Sequence, residues 1–326
     1  MDDNTEQRIR DCTCNKKRTG SFNRITNGGF GMKQKTIIAV FMVALTLLIA
    51  LPGAWCTDRE LEENSTLEGI LQRGQLRIGI ESGFMPFEMV DKRSGIRQKQ
   101  ISHGGVRRGS SRNVNLIGFD IDIGIEMAKE LGVKPVFVDT FWPSIIPALK
   151  VGRYDVIFGG MSVTEERKKS VDFADPFMIV GQTILLNIKF KEKVLSYKDL
   201  NSGEFTVASK PGTTGEESVK KLIPQCKYKA FDTEEEGARA VLEGKADAFV
   251  YDLPYNAVFM TMYGKNKLIF LDKPFTKEPI AWAIRKNDTS FMIFLNEFLA
   301  KIKGDGRFDR IYKKWFEDSE WYPHVR

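Results

Sequence analysis

The chain reads as an α/β protein of two similar lobes, and three observations carry that expectation. Its 326 residues exceed what one hydrophobic core usually serves, so about two domains are expected. Short apolar strand signals alternate with helix-length segments, the order that favours a parallel sheet covered by helices. That alternation runs twice, from about residue 75 to 158 and again from 205 to 251.

In the first series, residues 67–73 form a short helix leading into a strand at 75–80. Residues 119–131 place Ile121, Ile125, Ala128 and Leu131 at helical spacing and stop at Gly132. A strand at 133–138 follows, then a helix at 142–151 ended by Gly152, then a short strand at 155–158 before Gly159-Gly160. A connecting strand at 183–188 leads to the second series. It holds strands at 205–209, 227–231 and 246–251, with helices at 216–222 and 234–243 between them. Strands at 268–270 and 280–284 and helices at 290–303 and 306–316 complete the reading. Ligands in such sheets bind beyond the carboxyl ends of the strands, where loop amides and helix N-termini converge.

Composition narrows the function. The apolar share of 42% and charged share of 28% are ordinary for a globular protein. The formal charge of +6 is unevenly spread, since Lys92 to Arg112 carries seven Lys/Arg and no acid. Leaving that run aside, residues 57–326 hold 34 basic against 39 acidic side chains, so a nucleic-acid partner is not expected. The run belongs to a hydrophilic insert at 91–115, read as a solvated loop, with contact to anionic lipid or a transporter as the functional alternative. Cys12, Cys14, Cys56 and Cys226 have neither zinc-site nor disulfide-framework spacing, and no metal or cofactor is expected. His103 and His324 are the only histidines, and no catalytic triad, H-E-x-x-H or P-loop appears, so the chain is not read as an enzyme.

Residues 36–55 carry no charge and follow Lys33 and Lys35, the pattern of a secretory signal. Pro52-Gly53 shortens the apolar run, and Ala54 and Cys56 supply small residues for cleavage after Cys56. A signal at 32–56 and a periplasmic location are therefore expected, with membrane anchoring if the signal stays or Cys56 is lipidated. The polar leader at 1–31 is unusual before a signal, and Met32 is the expected start.

Six segments then match one family in order: 79–88 (GIESGFMPFE), 118–132 (GFDIDIGIEMAKELG), 142–177 (WPSIIPALKVGRYDVIFGGMSVTEERKKSVDFADPF), 209–214 (SKPGTT), 244–252 (GKADAFVYD) and 304–316 (GDGRFDRIYKKWF). Over about 67–316 the chain resembles the bacterial amino-acid-binding proteins of ABC importers, the glutamine, histidine and lysine/arginine/ornithine receptors. The resemblance implies a periplasmic binding protein-like fold of type II, with two Rossmann-like lobes joined by two hinge crossings. One lobe would combine 66–178 and 280–318, the other would span 182–275, and crossings would fall near 176–181 and 276–280. It implies a monomer that captures a free amino acid and delivers it to the membrane permease of an ABC importer.

Residue by residue, the resemblance makes Arg167 the grip on the α-carboxylate, aided by Ser162, Gly160, Thr213 and Thr214. Arg forks onto carboxylates, Gly allows close backbone approach and helix starts favour anions. Taken alone, Arg167 would equally suit a surface ion pair, and Thr213 or Thr214 an N-cap. Asp252 matches the acid for the α-ammonium, and Phe84 and Trp142 match aromatic walls, with Phe87 left to the core. Glu81 and Lys210 align with positions facing the ligand side chain. An acceptor beside a donor suits glutamine first and a cationic amino acid second, unless the two simply pair with each other. The alternatives kept are a dehydratase of the cyclohexadienyl or arogenate type on this fold and a ligand-sensing receptor module.

Overall fold

The computed structural model describes residues 65–91, 96–99 and 113–325. The leader at 1–31, the signal at 32–56, the first three cysteines, His103 and most of the basic insert lie outside the described residues. In chain order the elements are α1 (Thr66–Arg73), β1 (Gln75–Ile80), β2 (Met89–Val90), β3 (Ile96–Lys99), β4 (Asn113–Ile117), α2 (Phe119–Glu130) and β5 (Lys134–Asp139). There follow α3 (Ile145–Lys150), β6 (Val156–Ile157), α4 (Glu165–Lys168), β7 (Asp172–Phe173), β8 (Met178–Val180) and β9 (Gln182–Asn187). The second series holds β10 (Thr206–Ser209), α5 (Thr214–Leu222), β11 (Lys227–Ala230), α6 (Glu234–Leu242), β12 (Ala248–Asp252), α7 (Leu253–Tyr263) and β13 (Leu268–Leu271). β14 (Glu278–Ile280), β15 (Ala283–Ile284), α8 (Thr289–Gly304), α9 (Arg307–Tyr312) and α10 (Tyr322–Val325) close the chain.

Two five-stranded sheets result. The first has the order β5-β1-β6-β15-β7, with β1 parallel to β5 and β6 and with β15 antiparallel to β6 and β7. The second has the order β11-β10-β12-β9-β13, with β10 parallel to β11 and β12 and with β9 antiparallel to β12 and β13. Each sheet thus pairs a parallel trio with antiparallel strands, and β8 pairs with β14 where the chain passes between the sheets. Gly79 in β1 and Gly124 in α2 make close packing possible. A Cβ at Gly79 would lie 2.4 Å from the Tyr154 ring, and one at Gly124 would lie 2.7 Å from Ile78 Cδ1.

The core is aromatic at the contact between α2 and the C-terminal helices. Phe119 is fully buried and meets Phe308 and Phe316 edge-on at 5.6 and 5.3 Å. Phe158 stacks on Trp282 at 5.2 Å, joining the first sheet to the returning chain. Each large side chain buried this way contributes about 1.5–3 kcal/mol.

Three differences from the sequence reading have physical causes. The insert is not wholly loop: β3 and β4 pair in antiparallel register, Ile96 opposite Leu116, and β4 also pairs with β2. The charge of the insert obscured the strand at its apolar end, where Leu116 is fully buried. The strand read at 280–284 is two strands, β14 and β15, because the chain passes from one pairing partner to another around Ala281 and Trp282. Helix α7 has no counterpart in the sequence reading. Its apolar residues run all round rather than along one stripe, which leaves no periodic signal.

Candidate amino-acid site

All ten residues singled out in the sequence border one narrow cavity between the two sheets, together with Glu88, Gly159 and Tyr251. They gather there because each follows the carboxyl end of a parallel strand. Glu81 and Phe84 follow β1, Trp142 follows β5, and Gly160 and Ser162 follow β6. Lys210, Thr213 and Thr214 follow β10, and Asp252 ends β12. Such ends are where open α/β sheets leave crevices.

Arg167 lies in the last turn of α4, whose N-cap Thr164 accepts from the Arg167 amide at 3.2 Å. Its guanidinium donates to Ser162 O at 2.8 Å and across the cleft to Gly212 O at 3.2 Å. It also lies 5.4 Å from the centre of the Trp142 ring. No carboxylate among the described residues comes within ion-pair distance of it, although it is only 9% exposed. Burial therefore pulls its pKa down, against the opposing pull of Glu217, Asp252 and Glu278. A buried cation without a counter-ion is costly, and a fork of N–H groups aimed into a cleft suits a carboxylate.

Asp252 is the matching acid. Gln182 Nε2 donates to its Oδ1 at 2.7 Å and to Thr214 Oγ1 at 3.1 Å. No lysine or arginine among the described residues pairs with it at ion-pair distance. Burial pushes its carboxyl up to about 8, Glu278 adds to the rise, and Gln182 and Arg167 oppose it. Pro254, one residue into α7, keeps the helix start free of a donor at that position.

Two hydroxyls are already engaged. Ser162 Oγ donates to Glu278 Oε2 at 2.7 Å, and Thr213 Oγ1 donates to Lys210 O at 2.7 Å while capping α5. Phe84 stacks on Phe87 at 4.8 Å and meets Tyr251 edge-on at 5.7 Å, so Phe87 is core behind the aromatic wall. Trp142 closes the cleft by donating from Nε1 to Gly212 O at 2.9 Å.

Glu81 and Lys210 do pair with each other, the arrangement held open in the sequence reading. A third member, Glu234, was not foreseen: Lys210 Nζ also contacts Glu234 Oε2 at 2.8 Å. Lys210 is 2% exposed and Glu234 3%. Burial pulls the lysine pKa down, but Glu234 and Glu81 together hold it above its ordinary value. Burial raises the Glu81 carboxyl despite the lysine. Two acids thus share one base at this end of the cavity. Glu234 opens a run of three glutamates in the first turn of α6 that reads as a solvated helix start. Only the tertiary fold distinguishes it from Glu235 and Glu236.

Two α/β lobes closing on a charged cleft define the periplasmic binding protein-like fold of type II. The model of the bacterial extracellular solute-binding proteins, family 3, matches residues 109–318, and the chain belongs to that family. It is 30% identical over 295 residues to the ABC transporter glutamine-binding protein GlnH of Bacillus subtilis, covering 88% of this chain and 99% of that protein. Among solved structures, one described as a binding component of an ABC transporter from Wolinella succinogenes, complexed with lysine, is 41% identical with a TM-score of 0.69. The match covers 77% of this chain and 99% of that one. An ancestral amino acid-binding protein described as a precursor of cyclohexadienyl dehydratase is 40% identical with a TM-score of 0.68, covering 77% of this chain and all of that one. No helix among the described residues is long and apolar enough to cross a membrane.

Proposed function

We propose that the protein captures one free amino acid in this cavity, after export directed by residues 32–56, and hands it to the permease of an ABC importer. The observation that carries the reading is the buried, unpaired Arg167 facing the same cavity as the buried, unpaired Asp252. A zwitterion supplies a carboxylate for the first and an ammonium for the second. Lobes of 66–178 with 280–318 and of 182–275 would open and close about the β8–β14 crossings. Glu81, Phe84, Trp142 and Lys210 would surround the side chain, with Gly160, Ser162, Thr213 and Thr214 near the carboxylate.

The side-chain end favours lysine or arginine over glutamine. Lys210 already donates to both Glu81 and Glu234, so that end holds an excess of one negative charge that a ligand cation would balance. Titration calorimetry of the purified protein against the twenty amino acids tests both levels. Lysine or arginine should give the tightest binding. A panel with no binding ligand would sink the reading, and a response to glutamine alone would sink the charge argument. Incubation with prephenate, followed by product analysis, is the control for dehydratase chemistry, and turnover there would replace binding by catalysis.

A further inference from the structure

Glu88 and Asp120 meet beside the cavity, and the zwitterion grip uses neither. Glu88 is 1% exposed and Asp120 is fully buried. Gly118 brings them together: at φ +142° it lets α2 start against residues 86–88, where a Cβ at 118 would lie 2.1 Å from Phe87 O. The amides of Phe119 and Asp120 then donate to Pro86 O and Phe87 O at 3.0 and 2.9 Å.

The Asp120 carboxyl divides its work. Oδ2 accepts from the Gly159 amide at 2.6 Å and the Gly160 amide at 3.3 Å. Asp120 Oδ1 and Glu88 Oε2 are both enclosed and have no hydrogen-bond partner among the described residues. Both carboxyls converge on Gly159, whose amide bonds Asp120 and where a Cβ would lie 3.1 Å from Glu88 Oε1. Ionised carboxylates offer only acceptors, so each could satisfy the other's unpartnered oxygen only with a proton on one of them. Two bare carboxylates at this depth, with no lysine or arginine at ion-pair distance among the described residues, would repel each other.

We propose that Glu88 and Asp120 share one proton at neutral pH, and that this bridged pair fixes the Gly159-Gly160 turn in the conformation that borders the ligand cavity. Both are positioning residues acting through the turn. The turn needs an anchor, because Gly159 and Gly160 adopt φ +96° and +56° and Gly160 packs directly on Phe84. Burial raises both carboxyls, Asp120 to about 7 and Glu88 well above its usual range. Of the charged groups around Glu88, Asp120, Glu234 and Glu81 push it further up, and Lys210 opposes them. The pair titrates as a unit rather than as two separate acids.

Two measurements on the full protein test this. The first is the infrared difference spectrum between wild type and Glu88→Gln at neutral pH, in H₂O and D₂O. A protonated-carboxyl stretch, isotope-shifted, is expected in wild type and missing from the variant. Its absence from wild type would overturn the shared proton whatever the protein binds. The second rests on the amino-acid-binding reading. The amide introduced by Glu88→Gln donates where the acid proton does but does not titrate, so this variant should keep affinity within about threefold at neutral pH. At alkaline pH, wild type should lose at least ~10-fold more affinity than the variant as the pair gives up its proton. A tenfold or larger loss in Glu88→Gln at neutral pH, or the same alkaline loss in both proteins, would overturn the positioning role. An infrared band in a protein that binds no amino acid would uphold the shared proton and sink the functional reading instead.

Discussion

Glu234 Oε2 lies 2.8 Å from Lys210 Nζ, and the same ammonium also bonds Glu81 across the cleft, so one buried base joins acids from opposite sheets. Glu234 therefore sets the charge of the side-chain end without bordering the cavity itself. Glu234→Gln keeps the shape and a hydrogen-bonding group while removing the surplus charge. Affinity for lysine or arginine should fall at least ~10-fold, with glutamine changed by less than about threefold. Calorimetry with the three ligands reads this out. An equal loss for all three would reduce Glu234 to a structural support for Lys210.

Arg167 has no carboxylate at ion-pair distance among the described residues, and burial pulls its pKa down against the opposing pull of Glu217, Asp252 and Glu278. Arg167→Met removes the charge, keeps much of the volume and still packs on Trp142. Binding of any amino acid should weaken by at least ~100-fold, about 3 kcal/mol, because the charged fork is lost. The ligand-free melting temperature should move little, since the cost of burying an unpaired cation disappears with the two carbonyl hydrogen bonds. Amino-acid affinity within tenfold of wild type would show that the carboxylate sits elsewhere.

Gly160 adopts φ +56°, and a Cβ there would lie 2.4 Å from Phe84 Cε1. Gly160→Ala should destabilise the fold by about 1–3 kcal/mol through backbone strain and the displaced ring. Thermal or urea unfolding measures this. Ligand affinity should fall as well, because Phe84 must move into the cavity or the turn must move away from it. Unchanged melting and unchanged affinity together would mean that the turn is soft.

What the sequence displayed and what it concealed follow from how local each signal is. The strand ends carrying Glu81, Lys210 and Asp252 are contiguous with their motifs, and Gly160-Met-Ser162 and the Thr164–Arg167 turn are local as well, so their residues could be named beforehand. Gln182, Glu234 and Glu278 acquire their positions through pairing with distant segments: Gln182 opposite Asp252 across β9 and β12, Glu278 through β14. Glu88 reads as the polar end of a family segment, and only Gly118, far along the chain, brings Asp120 against it. Helix α7 was hidden for a different reason. With Tyr255, Asn256, Val258 and Phe259 all buried, its sequence has no polar stripe to set the period.

Asp252 couples binding to protons. Burial, assisted by Glu278, pushes its carboxyl up to about 8, so below that pH it is mostly a neutral acid until an ammonium approaches. An ammonium at hydrogen-bond distance favours the ionised form and lowers that pKa. Binding at pH 6–7 should therefore release close to one proton per amino acid, with affinity rising up to ~10-fold per pH unit and levelling near 8. The same shift has a defined sign for stability. The folded-state pKa lies above the unfolded value, so the folded chain binds the proton more tightly. Stability of the ligand-free form is then highest at the acid end of this window and declines as pH rises from about 4 towards 8. Calorimetric titrations in phosphate and in Tris separate the proton heat from the binding heat. Asp252→Asn, which carries no titrating group, should abolish the buffer dependence and bind at least ~10-fold more weakly. Buffer-independent heats in wild type at pH 6.5, or full proton release retained in Asp252→Asn, would place the ligand ammonium away from Asp252.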